Sequence, residues 1–197
     1  MVTYIAFGVI VLVILTAIIV GYRRHRRYNR WEMLHKRFAK RRSLKVNFIH
    51  QDNFQFYGSY RDYKVIVKPE LIDEVLYSAF TIEMINPNRK ALRIAKKSES
   101  APTLNSRAVI DHPFNIKHDI GKWLIMETND LVFSSLVLSD DIRISLHEIF
   151  SKYDAALLFI YDEELCLLVP KTLDREEDIT PYEKALELLC DIKDELN

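Results

Sequence analysis

Two histidines and two aspartates form a local grouping whose residue types are those of a metal site. Asp111 and His112 come first, and His118 and Asp119 follow after five intervening residues. Imidazole and carboxylate groups are ordinary zinc ligands, but this spacing matches neither a helical pair nor a zinc finger. His112 also precedes a proline, which favours an extended backbone. Solvated loop histidines are therefore the favoured interpretation, and a metal or acid–base site is the alternative.

A serine, a histidine and an acid also lie close together, at Ser145, His147 and Glu148. On a helix, side chains two positions apart point to different faces, so Ser145 and His147 cannot start a local catalytic triad. His50 and Asp52, at a predicted strand start, have no spacing that indicates chemistry either. We therefore predict no catalytic residue.

The glycine content disfavours nucleotide-binding loops. Such loops need several glycines close together so that backbone amides can approach a phosphate. The sequence has four glycines, at Gly8, Gly21, Gly58 and Gly121. Nucleotide-dependent kinases and dehydrogenases are thus disfavoured, no cofactor is predicted, and a non-enzymatic role is favoured over an enzyme.

The N-terminal part of the chain predicts where the protein resides. Tyr4 to Gly21 is an uncharged run of eighteen residues, and as a helix it would extend about 27 Å, close to the hydrocarbon thickness of a bilayer. It lacks the positive start and the small-residue cleavage site of a secretory signal, so we predict a retained transmembrane anchor over residues 1–22. Arginines follow the run and none precedes it, which predicts a single-pass inner (plasma) membrane protein with its N-terminus outside and its C-terminal domain cytoplasmic.

Charge is graded along the remainder of the chain, although the whole sequence is neutral. Residues 23–45 carry eleven basic residues and one acid, residues 46–138 are balanced, and residues 139–197 carry a net charge of −10. Anionic lipid attracts juxtamembrane basic residues and repels acids. We therefore expect the membrane and anionic phospholipid as partners of the basic segment, and the acidic C-terminal part to be directed away from the bilayer.

A basic juxtamembrane helix is predicted over residues 23–45, and its helical pattern is clearest from Tyr28 to Arg42, where Trp31, Leu34 and Phe38 recur at helical spacing. This apolar stripe either packs on the domain or lies in the lipid interface, and both interpretations stay open. A nucleic-acid partner is not expected, since a basic cluster beside a span is an ordinary stop-transfer signal. The residues predicted to contact the lipid surface are Arg23, Arg24, Arg26, Arg27, Arg30, Lys36, Arg37, Lys40, Arg41 and Arg42.

The fold class predicted for residues 46–197 is α+β, with a mainly antiparallel sheet packed by two or three helices. Alternation predicts a hairpin over residues 53–68, strands over 76–85 and 91–95 that continue it as a meander, and a strand over 122–127. A long loop is predicted over 96–115. An apolar hairpin over 155–169 is expected in the middle of the sheet.

Two helices are predicted in the C-terminal part of the chain, one beginning after Ser139 and one opened by a capping box at Thr180 to Glu183. The two cysteines, Cys166 and Cys190, are predicted to be buried and unpaired, because their spacing is not that of a pair and the predicted compartment is reducing.

The hairpin Gly58-Ser59-Tyr60-Arg61-Asp62-Tyr63-Lys64-Val65, the Leu138-Ser139 entry into an Ile/Leu helix, and the apolar hairpin before the last helix together resemble a class of uncharacterised bacterial proteins. Proteins of that class have one N-terminal span, a basic helix and a cytoplasmic domain of unknown function. The resemblance implies the same arrangement here and implies no functional residue.

The function that these observations favour is a membrane-anchored cytoplasmic binding or scaffold domain with a protein partner. Two alternatives stay open. One is a membrane-tethered metal-assisted hydrolase that would use His112, His118 and the neighbouring acids. The other is an anionic-lipid sensing module built on the basic helix.

Overall fold

Nine strands form one antiparallel sheet, and helices pack on it, in a computed structural model that describes residues 2–50, 53–86, 88–97, 116–120 and 123–196. The helices are α1 (Val2–Arg41), α2 (Leu131–Val137), α3 (Asp140–Lys152) and α4 (Ile179–Glu195), with a 3₁₀ turn over Glu176–Asp178. The strands are β1 (Lys45–His50), β2 (Asn53–Tyr60), β3 (Tyr63–Ile72), β4 (Val75–Glu83), β5 (Leu92–Lys96), β6 (Ile116–Asp119), β7 (Leu124–Thr128), β8 (Leu157–Tyr161) and β9 (Glu164–Val169). The predicted α+β class with an antiparallel sheet is confirmed.

The strand order is β1-β2-β3-β4-β9-β8-β5-β7-β6. The predicted meander is correct up to β4 but wrong beyond it, because β5 pairs with β7 and β8 rather than with β4. The hairpin of β8 and β9 lies between β4 and β5, and its strands are buried along nearly their whole length. Strands that are apolar on both faces are stable only in the interior of a sheet. The prediction that this hairpin is central is therefore confirmed.

The sheet has two ends, which we name for the position of α1. At the near end, β2 begins beside Trp31, and β3 turns into β4 at Asp73 and Glu74. At the far end, β2 turns into β3 at Arg61 and Asp62, and β8 turns into β9. Residues 170–178, which connect β9 to α4, follow the near end of β9. The helix α1 leaves the domain at the near end.

Residues 2–41 form one uninterrupted helix, so the boundary predicted at residue 22 lies inside α1. The last part of this helix packs on the sheet, where Leu34 and Phe38 are buried and Trp31 contacts the core. The interpretation in which the apolar stripe packs on the domain is confirmed. The alternative, in which the stripe lies in the lipid interface, is wrong because protein already covers these side chains.

The main core lies between the sheet and the helices α1, α3 and α4. A second, smaller apolar cluster includes Tyr77, Phe159 and Cys166. Both cysteines are buried free thiols, as predicted. Burial raises the pKa of the Cys190 thiol to about 12, so this thiol is unreactive at neutral pH.

The helices of the C-terminal part begin close to the predicted positions, with one correction. Ser139 precedes α3 as predicted, although its side chain makes no capping hydrogen bond. The capping box predicted at Thr180 is wrong, because α4 already begins at Ile179 after the 3₁₀ turn. There the Asp178 carboxylate accepts hydrogen bonds from the backbone N–H groups of Arg175 (2.9 Å) and Asp174 (3.3 Å). The buried Asp178 carboxylate thus closes the 3₁₀ turn that leads into α4, and it makes no capping hydrogen bond to α4 itself.

Replacing Asp178 by alanine is expected to lower the free energy of unfolding by about 2 kcal/mol, because two backbone N–H groups and the paired Lys171 ammonium would lose their acceptor. The neighbouring Asp174, which is exposed, provides the control, and Asp174→Ala should change the stability by less than about 0.5 kcal/mol. Urea denaturation followed by tryptophan fluorescence measures both values. Equal effects of the two variants would show that Asp178 does not hold the start of α4.

The β2–β3 turn contains two non-glycine residues in the left-handed region, Arg61 (φ 49°) and Asp62 (φ 66°). A two-residue hairpin turn with positive φ at both residues is a type I′ turn, which favours glycine at its second position. We expect Asp62→Gly to raise the free energy of unfolding by roughly 0.5–1 kcal/mol, as measured in urea. Arg61→Gly is the matched comparison and should not stabilise, because Arg61 pairs with Asp191 and Asp194 of α4. A destabilised Asp62→Gly would contradict this account of the turn.

Candidate functional site

The part of α1 that leaves the domain is an apolar helix with its side chains in solvent. From Leu12, where the described side chains of this helix begin, to Val20, every large hydrophobic side chain is at least half exposed. Exposed apolar surface that runs around a whole helix is not stable in water. Where side chains are described, no helix contains an eighteen-residue stretch apolar enough to cross a bilayer. The predicted anchor over residues 1–22 begins among residues 1–11, whose side chains lie outside the described part.

Five arginines stand on α1 between this apolar part and the domain, and we call four of them, Arg23, Arg26, Arg27 and Arg30, the arginine cluster. All four side chains are exposed. Among the described residues, none of the four takes part in an ion pair or hydrogen bond. The cluster therefore presents four uncompensated positive charges within about 10 Å of helix length.

Two adjoining cavities of about 860 and 820 Å³ lie between the arginine cluster and the near end of the domain. Both are lined by Arg27, Arg30 and residues 174–176. Of the acids in that segment, Glu176 pairs with Arg37, whereas Asp174 keeps its negative charge and accepts a hydrogen bond from the Thr172 hydroxyl at 2.7 Å. An anionic group that enters from the near end would meet arginines with no carboxylate partner.

The later basic residues of α1 do not share this arrangement. Arg37 pairs with Glu176, and Arg42 lies 2.8 Å from Glu187 and 3.3 Å from Glu183 of α4. Burial alone would lower the pKa of Arg42, but the hydrogen bond and charge of Glu183 raise it. Arg41 is 4.0 Å from Glu183. These three of the ten residues predicted at the lipid surface form ion pairs with the domain, and their lipid contact stays a prediction.

These ion pairs place part of the acidic C-terminal region beside the basic segment, because residues 174–187 lie beside α1. The expectation that the acidic region is directed away from the bilayer stays a prediction. Opposite charges that are distant in sequence pair in the folded chain. The C-terminal end of α4, where Asp191 and Asp194 pair with Arg61, lies at the far end.

A buried histidine holds α1 against the sheet. The His35 ring lies among Trp31, Phe48, Phe54 and Phe56, with ring centroids 4.1–6.1 Å apart. Its Nδ1 is 2.8 Å from the Trp31 carbonyl oxygen, which can only accept, so Nδ1 carries the proton. Its Nε2 is buried and has no hydrogen-bond partner. Burial lowers the pKa of His35 to about 4, so the ring is neutral at pH 7.

The metal site predicted from sequence lies largely outside the described residues. Asp111 and His112 are not described, and His118 is described only in its backbone, on β6. The Asp119 carboxylate is 2.7 Å from the Lys97 ammonium. Within the described ranges, no three His, Cys, Asp or Glu side chains come together as a metal would require. The described residues therefore show no contact that supports the metal-assisted hydrolase.

The other sequence candidates occupy separate positions. Glu148 pairs with Lys184, and the His147 ring packs at 4.8 Å against the Trp123 ring. His147 and Glu148 therefore make separate contacts, with Trp123 and with Lys184. Sequence inspection missed His35, although a histidine one turn after Trp31 in an apolar stripe was a visible signal. It also missed α2, β1 and β6.

No protein-family model matches this sequence, and a comparison with curated proteins finds no relative. Among solved structures, the chain is similar to mycobacterial trehalose monomycolate transport factor A (TtfA), with a TM-score of 0.57. The identity is 11%, over 85% of this chain and 94% of the other. A likeness at this identity shows a shared fold.

Proposed function

We propose that this protein is a single-pass inner-membrane scaffold whose cytoplasmic α+β domain binds a partner protein. The anchor is the N-terminal part of α1, with the N-terminus outside. The arginine cluster lies at the inner surface of the bilayer and contacts anionic phospholipid. No catalytic step is part of the proposal.

The observation that supports this proposal most strongly is the continuity of α1. Its last part is fixed in the core by Leu34 and Phe38, and its exposed apolar part begins a few turns earlier without a break. A helix that is apolar on all sides is stable in lipid, where its backbone groups are satisfied internally. The domain would therefore be held at a defined distance from the bilayer rather than on a flexible tether.

The arginine cluster supports the proposed contact with lipid. Basic side chains near an anionic bilayer surface contribute about 1 kcal/mol each. The cluster lies between the apolar part of α1 and the domain, where the headgroups of a bilayer around that part would be. Arginine is suited to phosphate because its planar guanidinium donates two parallel hydrogen bonds.

The scaffold role is supported by the described residues and by the comparison with TtfA. Among the described residues, no group of three His, Cys, Asp or Glu side chains is placed to hold a metal ion. The protein that shares this fold is named as a transport factor for trehalose monomycolate. That a protein of this fold is a transport factor supports a binding role as the proposal for the present chain.

Purification of the full chain from detergent-solubilised membranes tests the scaffold role. We expect one partner protein at constant stoichiometry at physiological salt, whose recovery does not depend on the growth state. Recovery of the chain alone from several growth states would contradict the proposed function.

A further inference from the structure

A group of exposed apolar side chains occupies the far end of the domain, opposite to the exit of α1. Its members are Ile85, Leu131, Val132 and Leu136, which we call the far-end patch. Ile85 is 86% exposed and Val132 is 70% exposed. Single exposed apolar residues are ordinary, but several that lie together indicate an interaction surface.

Direct contacts join the two parts of the far-end patch. The loop that follows Ile85 binds the start of α2, since Asn129 donates to the Arg89 carbonyl at 3.0 Å and accepts from the Ala91 N–H at 2.7 Å. The Lys90 ammonium is 3.3 Å from the carboxylate of Asp130, which caps α2. The loop and the helix therefore form one surface.

The helix α2 is apolar on both faces. Phe133 and Val137 point into the core, whereas Leu131, Val132 and Leu136 point outward. Seven residues are too few for a helix to be stable on its own, so α2 is held in place by the packing of its inward side chains on the core. The outward leucines and valine add nothing to the described core and are available to a partner.

The rim of the far-end patch is acidic. Asp140 and Asp141 begin α3 only two residues after α2 ends, and both are exposed. On the other side, the Met84 N–H donates to the Glu163 carbonyl at 2.8 Å, which places the acidic turn of β8 and β9 beside Ile85. The exposed rim residues are the acids Asp140, Asp141, Asp162, Glu163 and Glu164 and the arginines Arg89 and Arg143.

We infer that the far-end patch binds a basic amphipathic helix of the partner protein. An apolar surface with an acidic rim is complementary to a helix that has an apolar stripe and flanking lysine or arginine residues. A second copy of this chain would bring acid against acid. A bilayer is a poor occupant because the patch is at the end of the sheet opposite to α1. The inference rests on the proposed function and names the partner surface that the scaffold uses.

Site-specific photo-crosslinking of the full chain in its native membrane tests the inference. A photoreactive amino acid replaces Val132, and the matched control carries it at Leu71, which is also 70% exposed but lies at the near end. We expect an adduct with one protein from position 132 and none from position 71. Mass spectrometry should locate the adduct in a segment with apolar residues at helical spacing and flanking basic residues.

A charge variant provides the second measurement. Neutralising the rim by Asp140→Asn, Asp141→Asn and Glu163→Gln should reduce the adduct yield at least about fivefold, because steering and rim pairing depend on these charges. An unchanged yield, an adduct with a second copy of this chain, an adduct in an acidic segment, or no adduct would each overturn the inference. The crosslinking is measured in membranes. A chain that is membrane-anchored but forms no adduct would therefore contradict the far-end patch as a binding surface without contradicting the proposed anchor.

Discussion

Replacing Arg23, Arg27 and Arg30 by glutamine is expected to weaken the binding of anionic phospholipid by the full chain about a hundredfold. Each arginine near a lipid surface contributes about 1 kcal/mol, so three together contribute about 3 kcal/mol. Trp31 lines a cavity with Arg27 and Arg30, so its fluorescence reports the binding. The measurement is a titration of phosphatidylglycerol into the chain held in micelles of neutral detergent.

A second triple variant controls for the change in net charge. Lys45, Arg89 and Arg143 are exposed and lie away from the arginine cluster. Their replacement by glutamine removes the same charge and should leave the titration midpoint within about twofold. If both variants weaken the binding equally, the effect is one of overall charge, and the arginine cluster is not a lipid contact.

Acidification from pH 7 to pH 4.5 is expected to lower the free energy of unfolding by about 2–3 kcal/mol through His35 alone. Burial among aromatic rings lowers the pKa of the folded-state imidazole to about 4, whereas an unfolded imidazole titrates near 6.5. Between these values the unfolded chain binds the additional proton, so the stabilisation is complete above about pH 6.5 and is lost as the pH falls towards 4. Urea denaturation at a series of pH values measures it.

His35→Phe isolates the contribution of the imidazole. Phenylalanine is apolar and suits the surrounding rings, and the Trp31 carbonyl retains its helical hydrogen bond. We expect the variant to lose most of the pH dependence between 4.5 and 6.5. A variant with the same slope as the original chain would assign the acid sensitivity to other groups and would contradict the lowered pKa of His35.

Local sequence patterns predict the elements of this fold correctly where each pattern is compatible with one type of secondary structure. The alternation of β2 and β3 around Arg61-Asp62, and the apolar runs of β8 and β9, are present as expected. The position of β5 could not be predicted, because its partners in the sheet are at least 28 residues away in sequence. Strand order is a property of long-range pairing, which turn residues such as Asn86 do not specify.

Prediction of the candidate site from sequence is limited in the same way, because it depends on contacts between distant residues. Sequence locates the arginines correctly on a helix, but it does not distinguish Arg27, which faces a cavity, from Arg42, which pairs with α4. That distinction depends on acids more than a hundred residues later in the chain. The far-end patch is equally hidden, because a seven-residue helix such as α2 is too short for its periodicity to identify an exposed face.

The most direct test of the account is the topology of the full chain in intact cells. Cys166 and Cys190 are buried, so a single cysteine introduced at an exposed site gives a clear signal. A membrane-impermeant maleimide should label Thr3→Cys from outside, and it should label Ser59→Cys only after the cells are opened. Labelling of Ser59→Cys in intact cells, or recovery of the chain without membrane, would contradict the claim that α1 anchors a cytoplasmic domain.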